Sequence, residues 1–124
     1  MRIFKTKEFA RFARRERIAD DRLCEAVERA ERGLVGADLG GGLIKQRVAR
    51  RGQGRSGGYR TIIAWRIRQR CIFVHGFAKS AKADLTTDEL EVYRKLATLL
   101  LRYDDEAIEK AVAGKELVEV MCDG

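Results

Sequence analysis

The chain has 124 residues, 45% of them hydrophobic, and carries 26 basic against 19 acidic residues for a net charge of +7. That length suits one domain, 1–124, burying roughly two-thirds of its unfolded surface, and the apolar content argues against wholesale disorder. No run approaches about 18 apolar residues, and Met1-Arg2-Ile3-Phe4-Lys5 lacks a signal-peptide stretch, so neither a membrane span nor a leader is expected.

Met1 to Phe4 suits a short strand. From Lys7 to about Arg32, Phe9, Phe12 and Ala13, then Ile18, Leu23, Ala26, Val27 and Ala30, recur at helical spacing. Two helices broken near Ile18 to Asp20 fit this pattern, with Asp20-Asp21 as the cap of the second. Nine of the twelve glycines then fall between Gly33 and Gly58, ending the helices and opening a loop.

Leu43 to Arg50 alternates as a strand does, with Lys45 and Arg47 on one side and Ile44, Gln46 and Val48 on the other. Arg51-Gly52-Gln53-Gly54-Arg55-Ser56-Gly57-Gly58 reverses the chain. It lacks Gly-Lys-Ser/Thr and leads into no helix, so it is not a triphosphate loop. Its glycines either admit a polyanion to the backbone or form a flexible hairpin. Tyr59 to Ile67 and Cys71 to Phe77 are the next strands, joined through Arg68-Gln69-Arg70 into an antiparallel meander. Thr87 opens a helix striped by Leu90, Tyr93, Leu96, Ala97, Leu100 and Leu101. A short helix from Asp104 to about Val112 follows, broken by Gly114, and Leu117 to Val120 is a terminal strand or an ordered tail. The expected class is α+β: two N-terminal helices on a small, mainly antiparallel sheet, with a C-terminal helix and tail.

Charge is distributed unevenly along this chain. Leu39 to Ala83 holds eleven Lys or Arg and no Asp or Glu, which leaves fifteen basic against nineteen acidic residues elsewhere. A positive block on a mixed-charge body is the footprint of a phosphate-binding face, whereas an ordinary solvated sheet face mixes its signs. Lys45 and Arg47 leave one strand face about 7 Å apart. Arg60 on the next strand and Lys79 after the third complete a cluster suited to holding a phosphodiester and offsetting charge that develops on it. His75, between Phe73 and Phe77 on one strand face, is either a core histidine packed among these aromatics or, if that is the phosphate face, a proton donor or acceptor. Tyr59 and Trp65 alternate with arginines and suit base stacking, although Trp65 reads better as core. Cys24, Cys71 and Cys122 are far apart without C-x-x-C spacing, and His75 is the one histidine. A zinc site is not expected, and free thiols in a reducing cytoplasm are.

The stretches Gly42-Leu43-Ile44-Lys45-Gln46-Arg47-Val48-Ala49, Gly52 to Ile63 and Val74-His75-Gly76-Phe77-Ala78-Lys79-Ser80 resemble the RelE/ParE superfamily of bacterial toxins, most closely its RelE/HigB-like branch. The resemblance covers about residues 1 to 101, with 102–124 as an extension. It implies a cytoplasmic toxin that cuts messenger RNA on the ribosome without metal or cofactor and is neutralised by a cognate antitoxin. The charge of the basic face in turn leads to the expectation of an acidic or amphipathic segment on that antitoxin. In such enzymes the RNA 2′-hydroxyl attacks the neighbouring phosphorus. Matched to the family motif, Lys45, Arg47, Arg60 and Lys79 are the basic catalytic positions. Arg50, Arg51, Arg55, Tyr59 and Lys82 are the further RNA contacts expected around them. The tyrosine expected six or seven residues after Lys79 is replaced here by Leu85 and Thr86. His75, or a lysine whose pKa its cationic neighbours lower, is the substitute for proton transfer. The ParE branch poisons DNA gyrase on the same fold, so a gyrase inhibitor, a plain nucleic-acid-binding protein and an inactive relative are the alternatives.

Overall fold

The computed structural model describes residues 1–50 and 57–123. Among them the strands β1 (Arg2–Thr6), β2 (Ala37–Gly40), β3 (Leu43–Val48), β4 (Tyr59–Arg66), β5 (Arg70–Ala78) and β6 (Leu117–Glu119) make one sheet in the order β2-β3-β4-β5-β1-β6. The helices are α1 (Lys7–Glu16), α2 (Asp20–Glu31), α3 (Thr87–Leu101) and α4 (Asp105–Ala113). The class is α+β, and β3-β4-β5 is the expected antiparallel meander. The sheet is nevertheless mixed, because β1 joins β5 in parallel and β6 then pairs antiparallel with β1. Among the described residues, no helix is long and apolar enough to cross a membrane.

Helices cover both faces, and that is why the middle of β4 reads Thr61-Ile62-Ile63-Ala64 without polar alternation, each residue buried. On one face Phe9, Phe12, Leu23 and Val27 of α1 and α2 pack on Ile44, Val48, Tyr59, Ile63 and Phe73. On the other, Ala97, Leu100 and Leu101 of α3 and Ile108 and Ala111 of α4 pack on Phe4, Leu43, Ile62, Ile72 and Val74. Local chemistry starts each helix. Thr6 caps α1 by accepting from the Phe9 amide, Thr86 and Glu89 form a reciprocal capping box on α3, and Asp104 caps α4.

Four local readings change. Asp20-Asp21 does not cap α2: Ala19 holds the cap position without a side-chain bond, and the two aspartates lie in the first turn. The Asp20 carboxylate is occupied by Lys5 Nζ at 3.1 Å and the Met121 amide at 3.0 Å. The glycine-rich stretch before Leu43 contains β2, a strand too short to show alternation. Residues beyond Arg102 join the core, since Ile108, Ala111, Leu117 and Val120 are buried and β6 forms a sheet edge. Finally, the fold brings Cys24 of α2 and Cys122 together as a disulfide with Cα atoms 5.9 Å apart, leaving Cys71 as a buried free thiol.

Candidate functional site

The sheet register lays the α3-side face out in rows. Leu43, Ala64 and Ile72 are partners across β3, β4 and β5, and α3 packs on this end. The next row is Lys45, Ile62 and His75, and the row after that is Arg47, Arg60 and Phe77. Strands stand about 4.8 Å apart and rows about 7 Å, so Lys45, Arg47, Arg60 and His75 share a patch of the same face.

His75 reaches that patch through an irregularity. Strict alternation would put it with Phe73, facing α1. Between Ile62 and Ile63 the β4–β5 register shifts, so Ile62 pairs with His75 while Ile63 pairs with Phe73. Val74 is the unpaired bulge residue, and it and the following His75 both face α3, which is how a bulge re-aims a side chain. The next residue, Gly76, faces α1 again. A Cβ there would stand 2.5 Å from the Phe12 ring and 3.0 Å from Phe9, so only glycine lets α1 lie this close. The expectation that Phe73, His75 and Phe77 share one face is therefore corrected: Phe73 belongs to the α1 side, and His75 and Phe77 belong to the α3 side.

Arg47 and Arg60 are direct cross-strand partners. Like charges so placed repel unless an anion lies between them. The Nη1 of Arg60 is buried with no hydrogen-bond partner among the described residues. Burial, and then the charge of Arg47, make its guanidinium hold its proton less tightly than an ordinary arginine, while Asp84 pulls the other way. Lys45 is differently placed. Its Nζ lies 2.9 Å from Asp84 Oδ2, so the first acid after the basic block folds back onto it. Asp84 titrates below the usual carboxylate range, chiefly through that bond and then through the Leu85 amide. Lys45 is thus not surrounded by cations alone, as a lysine tuned only by its cationic neighbours would require.

The remaining expected residues spread out. Lys79 is exposed in the turn immediately after β5. Lys82 is ion-paired to Glu89 and sits over the Phe77 ring, 5.9 Å from its centroid. Tyr59 is 2% exposed and packs edge-on against Phe12 on the α1 side, so its ring is closed to base stacking. Trp65 is half-buried against the same core. Arg50 lies over the Tyr59 ring and lines a cleft of about 740 Å³ with Arg15, Arg17 and Arg22, on the sheet side away from Lys45. Arg51 and Arg55 lie outside the described residues.

Two groups at the site were not singled out from sequence. Tyr93 of α3 stacks on His75, with ring centroids 4.8 Å apart and 26° between planes, and its hydroxyl is 2.9 Å from His75 Nδ1. Glu8 of α1 places Oε2 2.6 Å from the same Nδ1 and also accepts from the Tyr93 hydroxyl at 3.1 Å. Glu8 titrates below the ordinary glutamate value, first through its bond to His75. The Tyr93 phenol is pushed upward by burial and then by the Glu8 charge, so it stays protonated. The stripe of α3 made Tyr93 look like core, and only its hydroxyl distinguished it from the leucines around it. Among the described residues, no three His, Cys, Asp or Glu side chains are grouped as metal ligands would be.

No curated protein sequence matches the chain. A family model does, described as the RelE toxin of the RelE / RelB toxin-antitoxin system, over residues 1–120. With nearly its whole length matched, the chain belongs to the RelE family of toxins, the toxin component of a type II toxin–antitoxin pair whose other member is an antitoxin.

Proposed function

We propose that this toxin is a metal-independent endoribonuclease that cuts messenger RNA on the ribosome and so stops translation. The observation that carries the reading is the Arg47–Arg60 pair, two opposed cations in the same face as Lys45 and His75, with one Arg60 nitrogen unpartnered among the described residues. A scissile phosphodiester supplies the anion that such a pair lacks. As the 2′-oxygen attacks phosphorus, the phosphoryl oxygens gain negative charge, and fixed guanidinium groups stabilise that state more than the ground state. His75 takes the 2′-hydroxyl proton on its Nε2. The P–O5′ bond breaks, the leaving oxygen takes a proton from water, and the products end in a 2′,3′-cyclic phosphate and a 5′-hydroxyl. Lys45 exchanges Asp84 for the phosphate, and Lys79 extends the positive track along the flanking backbone.

The test is a translation extract supplied with mRNA carrying a single 2′-deoxynucleotide at a mapped cut position, with gyrase supercoiling assayed in parallel. The reading predicts cutting of the all-ribose message, none at the deoxy position and unaffected gyrase. Blocked supercoiling with intact mRNA would establish the gyrase-directed alternative instead.

A further inference from the structure

We infer that Glu8 is a positioning residue: it holds the His75 ring in the Nδ1–H tautomer and turns Nε2, with its lone pair, toward the RNA. The role rests on the reading of His75 as the proton acceptor, but the geometry behind it is independent of any substrate.

Two oxygens crowd one ring nitrogen. Glu8 Oε2 is 2.6 Å from Nδ1 and the Tyr93 hydroxyl is 2.9 Å from it, while the same hydroxyl is 3.1 and 3.2 Å from the two Glu8 oxygens. A carboxylate only accepts, so the Nδ1–H must donate to Glu8. The phenol, kept protonated, has a single hydrogen, and Glu8 is its acceptor as well. Nδ1 therefore carries a proton, and in the neutral ring Nε2 is the acceptor, with no partner among the described residues.

Three elements fix the arrangement. Thr6, by capping α1, places Glu8 in the first turn of that helix. The β5 bulge turns His75 to the α3 face, and Tyr93 covers the ring from α3. The ring is one-fifth exposed, so it is clamped yet open on one side. The charged and titratable groups around it are Glu8 on α1 with Arg11 beside it, Tyr93 on α3, Glu89 behind Tyr93, and Lys45 two strands away. Glu8 is the group of this set bonded to the ring by a full negative charge. An imidazole without such a partner favours neither the tautomer nor the orientation that a base needs, and the half-exposed Glu8 carboxylate supplies both through its direct bond to Nδ1.

His75 is the chain's one histidine, so the ring ¹⁵N resonances of the intact protein report this site alone. Spectra are compared at alkaline pH, where imidazole is neutral, for wild type, Glu8→Ala, Glu8→Gln and Tyr93→Phe. The inference predicts a protonated Nδ1 and bare Nε2 in wild type, loss of that preference in Glu8→Ala, retention in Tyr93→Phe, and partial retention in Glu8→Gln, whose amide oxygen still accepts. In the translation extract, Glu8→Ala should lower the maximal cleavage rate on the order of 100-fold, with affinity for a 2′-deoxy RNA unchanged. A wild-type ring protonated on Nε2, or an Glu8→Ala ring with the wild-type tautomer, overturns the inference. A correct tautomer shift in a protein whose wild type cuts no RNA overturns the cleavage reading instead and leaves the role of Glu8 in holding the ring established.

Discussion

Arg47 on β3 and Arg60 on β4 stand directly opposite each other, two cations on the α3-side face with no carboxylate paired to either among the described residues. A fold that keeps such a pair tolerates a repulsion that an anion would relieve. Removing one member should therefore separate stability from binding. Arg47→Ala or Arg60→Ala should leave the unfolding free energy unchanged or raise it slightly, by about a few tenths of a kcal/mol. Each should weaken binding of 2′-deoxy RNA and reduce the slope of log affinity against log salt by about one phosphate contact. Urea melts and salt titrations of binding measure both.

Asp84 acts as an internal counter-ion for Lys45. Asp84→Asn removes a competitor for the RNA phosphate, so binding of the same 2′-deoxy RNA should tighten severalfold. Stability should respond in the opposite direction and with pH. The Asp84 carboxyl is lowered in the folded protein by Lys45. Its contribution is present above its ordinary value of about 3.9 and is lost as pH falls through the lower folded value. The small advantage of wild type over Asp84→Asn at neutral pH should accordingly vanish in acid, as read from denaturation at several pH values.

Much of this was legible in the residues themselves. Alternation in Leu43 to Val48 puts Lys45 and Arg47 on one face, and the hairpin order alone places Arg60 beside them. The bulge was not legible: nothing in Phe73-Val74-His75-Gly76 announces an extra residue, and strict period two assigns His75 to the wrong side. Glu8 and Tyr93 lie 67 and 18 residues from His75. Each had a sufficient local explanation, an acid in a helix's first turn and an aromatic in an apolar stripe. Cys24 and Cys122 escaped for a related reason, since a pairing across 98 residues has no local signal.

Gly76 is where α1 meets β5. Gly76→Ala would drive a Cβ into the rings of Phe12 and Phe9, which have no free end to move aside. The expected loss is about 1–3 kcal/mol in urea denaturation, typical of overpacking. Because His75 is the neighbouring residue, cleavage should fall with stability.

The Cys24–Cys122 bond ties α2 to the chain just beyond β6, closing a loop of 98 residues. Reduction should lower stability by on the order of 2–4 kcal/mol, mainly by freeing the unfolded chain. Thermal melts with and without reductant should differ for wild type and coincide for Cys122→Ser.

The account depends above all on the two opposed arginines gripping the RNA backbone as it breaks. Single-turnover cutting of ribosome-bound mRNA by Arg47→Ala/Arg60→Ala, measured beside wild type, tests this most directly. The predicted result is a loss on the order of 100-fold or more in a double variant that melts like wild type. Cutting at the wild-type rate and position by that variant would contradict it.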